Sequence, residues 1–233
     1  ISGQKIWSTL AQDATNLYVL VRTDKNVKKQ EGITFVVMDA KLPGITIRPI
    51  MTISGDDTFC EVFFDKVRVL LANVVGGLNR GWTVAKTQLG FERIFLGSPK
   101  MPQYALARLE DMAARIGALD DAVFADKFTQ LKLDVADLSA LYGSFVAIVR
   151  AGGQLPPEVS VLKIWATETY SRIASLMVEA AGGAGGIDGA TPMGGAATDV
   201  MTHFYYARPA TIYGCSNEIQ RNIIARGTLN LPG

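Results

Sequence analysis

One carboxylate in the chain stands where a general acid or base could act. The sequence predicts a helix from Gly81 to Leu96, and at roughly 100° per residue Glu92 falls on an apolar stripe of that helix. A carboxylate on an apolar stripe must be paired, be hydrogen-bonded or change its proton affinity, and general bases are found in such surroundings. The other members of the stripe are Trp82, Ala85, Leu89 and Leu96.

The surroundings of this helix leave two interpretations of Glu92 open. Most of the remaining circumference is also apolar, so we expect other elements to enclose the helix; the residues there are Val84, Phe91, Ile94 and Phe95. An ion pair between Glu92 and its neighbour Arg93 would be structural. The residue pattern alone favours this ion pair over a general base.

A run of glycines, Gly182-Gly183-Ala184-Gly185-Gly186, could bring backbone amides close to a phosphate. A dinucleotide-binding turn of the Rossmann type requires a strand before the glycines and a helix after them. Here a predicted helix precedes the run, so a Rossmann fold and a nicotinamide cofactor are disfavoured. For these residues alone, a plain loop is the simpler interpretation.

A third stretch lies near the end of the chain, where Ser216 or Asn217 is a plausible N-cap for a following helix. The N-terminus of such a helix favours an anion such as pyrophosphate. Many ordinary helices begin in the same way. By itself this stretch is therefore weak evidence for a binding site.

Two kinds of secondary structure divide the chain. Up to about residue 72, short runs of β-branched and aromatic residues alternate with turn clusters, which is typical of antiparallel strands joined by hairpins. Beyond Gly77, apolar residues recur three and four apart in long segments, which predicts helices. The predicted strands lie at Leu17–Val21, Ile33–Met38, Gly44–Ile50 and Phe59–Val69. The predicted helices lie at Gly81–Leu96, Pro102–Arg115, Ala122–Arg150, Pro157–Ala181 and Glu218–Gly227, with looser structure between Gly182 and Ala207.

Composition and charge argue against several classes of protein. The 233 residues include 23 basic and 22 acidic side chains, so no strong field would attract nucleic acid or an anionic membrane surface. No apolar run reaches the roughly 18 residues that a membrane helix needs. Cys60, Cys215 and the lone His203 lack the spacing of a disulfide framework or a metal site, so we expect no metal and a reducing compartment. The chain begins with Ile1 rather than Met, and we interpret it as trimmed.

Taken as a string, Tyr213–Arg226 resembles the signature Y-E-G-T-S-E-I-Q-R-x-I-I-A-R of the acyl-CoA dehydrogenases. The resemblance runs almost from end to end. Gly3–Trp7 is similar to the family's G-x-K-x-W strand, Gly44–Ile50 to its G-I-T-x-R-P-I strand, and Glu61–Val69 to its E-V-F-F-D-x-V-R-V segment. Asn79–Trp82 with Glu92–Arg93 resembles the first long helix of the C-terminal domain, and Gly182–Gly185 resembles the G-G-x-G turn.

The resemblance implies an α+β fold in two parts. Residues 1–76 would be the latter part of the family's middle, antiparallel β domain, and residues 77–233 its C-terminal, up-and-down four-helix bundle. The family's N-terminal helical domain would be missing, so we do not expect a complete site. The family is usually a dimer of dimers, which implies a homotetramer or a heterotetramer. Its location would be the bacterial cytoplasm, or the mitochondrial matrix in a eukaryote.

The family's cofactor is FAD, and the resemblance assigns its contacts to particular positions. Trp7 would pack on the isoalloxazine ring, and Thr9 would hydrogen-bond near the N5 edge of that ring. Ser216 and Glu218, at the head of the last helix, would meet the diphosphate end.

Further contacts would reach a flavin that a neighbouring subunit mainly holds, and these are assigned to Glu179, Gly182 and Gly183. The family's R-x-x-F-G flavin motif is not recognisable, and Arg115 is the nearest candidate for its arginine. This departure implies weaker FAD binding or a different partner subunit.

The position of the base also departs from the family's commonest form, in which the catalytic Glu follows the signature Tyr. Here Gly214 follows Tyr213. Some branches carry the base on the first long helix, immediately before an Arg, and Glu92 matches that position. The resemblance therefore reverses the preference above and predicts Glu92 as the base, with Arg93 and Tyr213 as substrate contacts. The Gly214 N–H and a flavin ribityl hydroxyl would bind the thioester oxygen, and Gly214 would free space for a branched, aromatic or polycyclic acyl group.

The function implied by the resemblance is FAD-dependent α,β-dehydrogenation of an acyl-CoA, with electrons passing to an electron-transfer flavoprotein. Two alternatives stay open. The glycine at 214 and the weakened flavin motifs could belong to a catalytically impaired partner or scaffold subunit of a heteromeric enzyme. An acyl-CoA oxidase, which uses molecular oxygen, is the other alternative.

Overall fold

The computed structural model describes residues 1–232, without the side chains of 88–91, and consists of two compact units. The first unit is Ile1–Leu89 and the second is Gly90–Gly233. Helix α1 (Gly81–Leu96) runs through this division. A domain boundary after residue 76 therefore stays a prediction.

Two antiparallel, three-stranded sheets make up most of the first unit. Its strands are β1 (Gly3–Thr9), β2 (Asn16–Arg22), β3 (Ile33–Asp39), β4 (Ile45–Ile50), β5 (Phe59–Phe64) and β6 (Val74–Val75). The order is β1-β5-β4 in one sheet and β2-β3-β6 in the other, which confirms the predicted antiparallel β region. Side chains alternate along β5, so that Cys60, Val62 and Phe64 enter the core. Strand β5 ends before the predicted Val69, because Lys66 has left-handed backbone with φ 50°.

Close packing at the start of α1 fixes where that helix leaves the sheet. A Cβ atom at Gly81 would lie 2.3 Å from the Phe35 backbone nitrogen, so only glycine fits there. The buried Thr34 hydroxyl accepts the Asn79 N–H at 2.8 Å. The first turn of α1 is therefore held against β3.

The helices that follow are α2 (Lys100–Ile116), α3 (Ala122–Arg150), α4 (Ser160–Ala181), α5 (Met201–Ala210) and α6 (Asn217–Gly227). Helices α1 and α3 begin and end at the predicted residues, and α2 and α6 begin slightly earlier than predicted. Helix α4 begins later than predicted, because Pro157–Val159 forms a 3-10 turn before it. The predicted α+β architecture with a helical C-terminal part is confirmed.

The expectation of looser structure between Gly182 and Ala207 is wrong for much of that stretch. Strands β7 (Thr191–Met193) and β8 (Ala196–Thr198) pair in an antiparallel hairpin, and α5 follows them. Gly194 and Gly195 form the hairpin turn with φ 55° and 83°, a left-handed conformation that glycine adopts without strain. The hairpin lies inside the stretch that was expected to be looser, and α5 begins inside it and ends three residues beyond it.

Helix α4 is the centre of the helical unit, and it packs against α2, α3, α5 and α6. Its residues Ile173 and Met177 are fully buried beside Leu109 and Met112 of α2.

No helix in the described part of the chain is both long and apolar enough to cross a membrane.

Candidate active site

The structure brings Glu92 and Gly214 together. Glu92 is half-buried on α1, and Gly214 lies in the turn between α5 and α6. A Cβ atom at Gly214 would lie 3.6 Å from Glu92 Oε1. The carboxylate of Glu92 therefore reaches the space into which a side chain at 214 would project.

The backbone conformation favours glycine at 214, and a side chain there would have to displace Leu96. Its φ is 61°, and a Cβ atom there would lie 1.9 Å from Leu96 Cδ1, far inside contact distance. The expectation that Gly214 frees space for a bulky acyl group is wrong at this point, because the Leu96 side chain already fills that volume.

The turn that carries Gly214 is fixed by hydrogen bonds around it. The Asn217 N–H donates to the Thr211 carbonyl at 2.9 Å, and the Gln220 side-chain amide donates to the Gly214 carbonyl at 3.2 Å. Among the backbone hydrogen bonds of residues 1–232, none uses the Gly214 N–H as donor. That N–H therefore has no backbone acceptor in this part of the chain.

The surroundings of Glu92 differ from two sequence expectations. Arg93 is half-buried, and no ion pair among the described side chains joins it to Glu92. Phe95 is 76% exposed, so the chain does not enclose α1 on that side. An apolar circumference predicts that a helix is packed on all sides, but it does not tell whether the packing partner is the same chain or another molecule. The side chains of Leu89 and Phe91 lie outside the described residues.

Ser216 and Glu218 lie at the start of α6, as predicted. Ser216 occupies the N-cap position, but its side chain does not cap the helix backbone. Its hydroxyl hydrogen-bonds the Glu218 carboxylate instead, which lowers the pKa of Glu218 together with the backbone N–H of that residue. The second residue considered for the cap, Asn217, is buried.

A buried polar network that sequence analysis did not identify surrounds Asn217. Lys163 of α4 is 0% exposed, and its Nζ donates to Asn217 Oδ1 at 2.8 Å. Burial lowers the pKa of Lys163, and electrostatic interactions with Cys215, Glu218 and Glu168 oppose that shift. The sequence carried little signal for this network, because the buried face of α4 around Lys163 also contains the polar residues Ser160 and Thr167.

Tyr213 is half-buried, and burial raises its pKa.

An aromatic cluster elsewhere in the helical unit contains His203, whose ring lies 5.7 Å from that of Tyr104. The hydroxyl of Tyr170 lies 3.4 Å from His203 Nδ1, and burial raises the pKa of Tyr170 to about 12. Burial and the charge of Arg108 lower the pKa of His203.

Trp7 and Thr9 lie on exposed β1 of the first unit. The register between β1 and β5 shifts between Lys5 and Ser8, which marks a bulge. Within it Trp7 is 60% exposed and has φ 62°, an unusual backbone conformation for a bulky residue. Strained positions of this kind cluster at functional sites.

Arg115 and Glu179 are engaged by contacts within the helical unit. Arg115 makes four hydrogen bonds, to Asp111, to Thr198 and to a carbonyl of the β7–β8 hairpin. A guanidinium has five N–H donors, so one is left. Glu179 forms an exposed ion pair with Lys127 at 2.5 Å.

The glycine run forms a 3-10 turn, Gly182–Gly186, after α4. Cβ atoms at Gly182 and Gly183 would meet no atom within 4 Å, so their backbone is open to a ligand. At Gly185 a Cβ would lie 2.6 Å from the Val178 carbonyl oxygen, so this glycine is needed for packing.

These features fit an FAD in two separate parts of the chain. The first unit offers an exposed indole at Trp7, which can lie against a flavin ring. The helical unit offers open backbone at Gly182 and Gly183 and a helix N-terminus after Ser216, which suit a diphosphate. Within residues 1–232, no three His, Cys, Asp or Glu side chains are grouped closely enough to hold a metal ion.

Comparison with known proteins decides the family. The acyl-CoA dehydrogenase middle domain matches residues 1–67, and the acyl-CoA dehydrogenase C-terminal domain matches residues 79–229. The chain belongs to the acyl-CoA dehydrogenase family. Glu92, Gly214 and the start of α6 therefore lie in the part that matches the C-terminal domain of the acyl-CoA dehydrogenases, and Trp7 and Thr9 lie in the part that matches the middle domain.

Individual relatives and solved structures are similar over the whole chain. IpdE1 of Mycolicibacterium smegmatis is 34% identical over 234 residues, which cover 100% of this chain and 57% of IpdE1. One chain of a ChsE4–ChsE5 complex from Mycobacterium tuberculosis is 28% identical to this chain with a TM-score of 0.76. The match covers 100% of this chain and 61% of the ChsE4–ChsE5 chain. The Tcur3481–Tcur3483 steroid ACAD shares the fold, with a TM-score of 0.90 at 24% identity over 100% of this chain and 60% of its own. This chain thus spans less than two thirds of the length of these relatives.

Proposed function

We propose that this chain is part of an FAD-dependent acyl-CoA dehydrogenase in which Glu92 removes the α-proton of an acyl-CoA thioester. The observation that carries the proposal is the 3.6 Å between Glu92 Oε1 and the position of a Cβ atom at Gly214. In the family's commonest form the base projects from the position of Gly214. Glu92 brings a carboxylate next to that position from a different helix.

A base at this place needs a partner that stabilises the developing negative charge. Removing the α-proton of a thioester moves charge onto its carbonyl oxygen, and a backbone N–H is a suitable donor to that oxygen. The Gly214 N–H, which has no backbone acceptor in the described chain, would serve as this donor. Arg93 and Tyr213, the neighbours of Glu92 and Gly214 in sequence, would contact the substrate.

Bound FAD would accept the hydride that leaves the β-carbon, and we propose an electron-transfer flavoprotein as the next electron acceptor. In the first unit, Trp7 and Thr9 would contact the ring of a flavin. In the helical unit, Ser216 and Glu218 would contact the diphosphate of a flavin. The exposed indole of Trp7 supports the first assignment, and the helix N-terminus after Ser216 supports the second.

A flavin of a neighbouring subunit, in a dimer of dimers, would be approached by a second set of residues. Gly182 and Gly183 would offer their open backbone, and Glu179 lies three residues before them at the end of α4. Arg115 would contribute at most the one N–H donor that its four hydrogen bonds leave.

Glu92→Gln tests the base, because it keeps the shape and hydrogen-bonding capacity of the side chain and removes its basicity. In full-length protein loaded with FAD, anaerobic bleaching of the flavin band by an acyl-CoA should slow by roughly 10²-fold or more. Glu110→Gln is the matched control, since Glu110 is an exposed carboxylate paired with Lys132 on a neighbouring helix, and it should leave the rate unchanged. Flavin content should be the same in both variants. A normal rate in Glu92→Gln would return Glu92 to a structural role.

A heteromeric assembly is the second candidate function, in which this chain completes the flavin site of a partner. The 28% identity to a chain of the ChsE4–ChsE5 complex favours it. Purified alone, a full-length partner subunit would bind no flavin that an acyl-CoA can reduce, and co-expression with the catalytic subunit would restore the bleaching. A flavin that bleaches fully in the protein purified alone would exclude this candidate.

A further inference from the structure

We propose that Lys163 is a positioning residue of this site, whose buried side chain holds the turn that carries Gly214 close to Glu92. The proposal rests on the function proposed above. The side chain of Lys163 donates its hydrogen bond to Asn217 and not to the proposed substrate site. Lys163 would therefore act on the site through Asn217.

Lys163 is an unusual residue to find in a core. It has the largest of the fully buried side chains in the described structure, and lysine is almost never fully buried unless it is paired. An ammonium has three donors, and the described residues provide Lys163 with one acceptor, Asn217 Oδ1 at 2.8 Å. A methionine of similar length would fill the same space without burying a charge. Packing alone therefore does not explain a lysine at 163.

The acceptor, Asn217, is the first residue of α6, and α4 holds its side chain from several directions. Its amide nitrogen donates to Thr167 Oγ1 at 3.1 Å and to Glu168 Oε1 at 3.2 Å, while its amide oxygen accepts from Lys163. Asn217 is 2% exposed, so water does not replace these bonds. The Asn217 side chain therefore ties the start of α6 to α4, and the Arg221–Glu168 ion pair joins the same two helices one turn later.

From Asn217 the constraint passes to the turn through the backbone. The Asn217 N–H donates to the Thr211 carbonyl at 2.9 Å, which closes the segment that contains Gly214. Gln220, one helical turn later, donates to the Gly214 carbonyl at 3.2 Å. Since Gly214 has no side chain of its own, these bonds determine where its N–H lies relative to Glu92.

Two variants separate positioning from stability. Lys163→Met keeps the length of the side chain but removes its charge and its bond to Asn217. The double variant Lys163→Met/Asn217→Leu replaces both partners by apolar groups of similar size, a change that is close to neutral for stability in buried pairs. Lys132→Met, which removes an exposed lysine paired with Glu110, is the control.

The first measurement is amide hydrogen exchange in the full-length, FAD-loaded protein, read in peptides that cover residues 211–220. In both Lys163 variants, exchange in this segment should accelerate about tenfold or more, the size expected when a hydrogen bond to a charged group is lost. Exchange in α3 and in the Lys132→Met control should not change.

The second measurement is flavin reduction by an acyl-CoA. The limiting rate at saturating substrate should fall roughly 10- to 10²-fold in both Lys163 variants, because a small displacement of the donor misaligns it with the base. The half-saturating concentration should change little. The double variant should regain stability but still reduce flavin slowly. If Lys163 were only structural, the rate of flavin reduction would recover together with stability.

Unchanged exchange at residues 211–220 in both variants would overturn the proposal, and so would a normal reduction rate in the double variant. If the unsubstituted protein reduces no flavin with any acyl-CoA, the proposed function fails instead. The exchange measurement needs no turnover, so it decides in that case whether Lys163 holds the turn.

Discussion

Replacing Gly214 by alanine tests how closely the turn packs against α1. The φ of 61° at this position is a left-handed conformation, which costs an L-residue roughly 1–2 kcal/mol. The new methyl group would lie 1.9 Å from Leu96 Cδ1, so the leucine must move, and such overpacking costs roughly 1–3 kcal/mol. Gly214→Ala should therefore lower the free energy of unfolding by about 2–5 kcal/mol.

Two further variants separate these costs. Gly189 has φ 84°, and a Cβ atom there would meet nothing within 4 Å, so Gly189→Ala should show only the backbone cost. Combining Gly214→Ala with Leu96→Ala removes the clash, so the double variant should be less destabilised than the sum of its single variants.

Urea unfolding of the full-length protein, followed by far-UV circular dichroism, measures each change. The same methyl group should also slow flavin reduction, because it pushes the Gly214 N–H away from Glu92. Equal loss of stability in Gly214→Ala and Gly189→Ala would mean that Leu96 does not contact Gly214 in solution. The proximity of Gly214 to Glu92, which depends on the same packing, would then lose its support.

Three other predictions concern the helical unit. Burial raises the pKa of Tyr170 from 10 to about 12. The unfolded state therefore loses this proton at a lower pH than the folded state, and the free energy of unfolding should fall as the pH rises from 10 to about 12. Tyr170→Phe should show a shallower fall in urea unfolding over this range. The pKa of His203 is held below its ordinary 6.5, so stability should fall as the pH drops below 6.5, and His203→Gln should flatten that part of the urea-unfolding profile. Gly185→Ala should cost about 1–3 kcal/mol through its contact with Val178, whereas Gly186→Ala, which has open space, should barely shift the melting temperature.

The long helices could be predicted because their signals are local. Helix α3 follows from its apolar spacing, and the Asp121 carboxylate caps it by accepting the Phe124 N–H at 2.8 Å. Helix α5 could not be predicted in the same way, because its aromatic residues favour helix only weakly and Pro209 disfavours it. Its stability comes from packing on α4. The β7–β8 hairpin did carry a signal in the adjacent glycines Gly194 and Gly195.

The candidate site, like the fold, could be predicted where the signal is local and not where it depends on distant contacts. The sequence selected Glu92 from its apolar stripe and from the family resemblance. The proximity of Glu92 to Gly214, and the filling of the intervening volume by Leu96, depend on how α1 meets a turn far away in sequence. The bond from Lys163 to Asn217 is equally non-local, and no spacing rule on either helix predicts it.

The exposed thiol in the turn makes the chain suited to optical labelling. Cys215 follows Gly214 directly and is exposed, whereas Cys60 is completely buried in β5. A maleimide dye would therefore react with Cys215 before the other cysteine of this chain. Fluorescence from that dye would report the arrival of a ligand beside Glu92 in real time, without a coloured cofactor or a completed reaction.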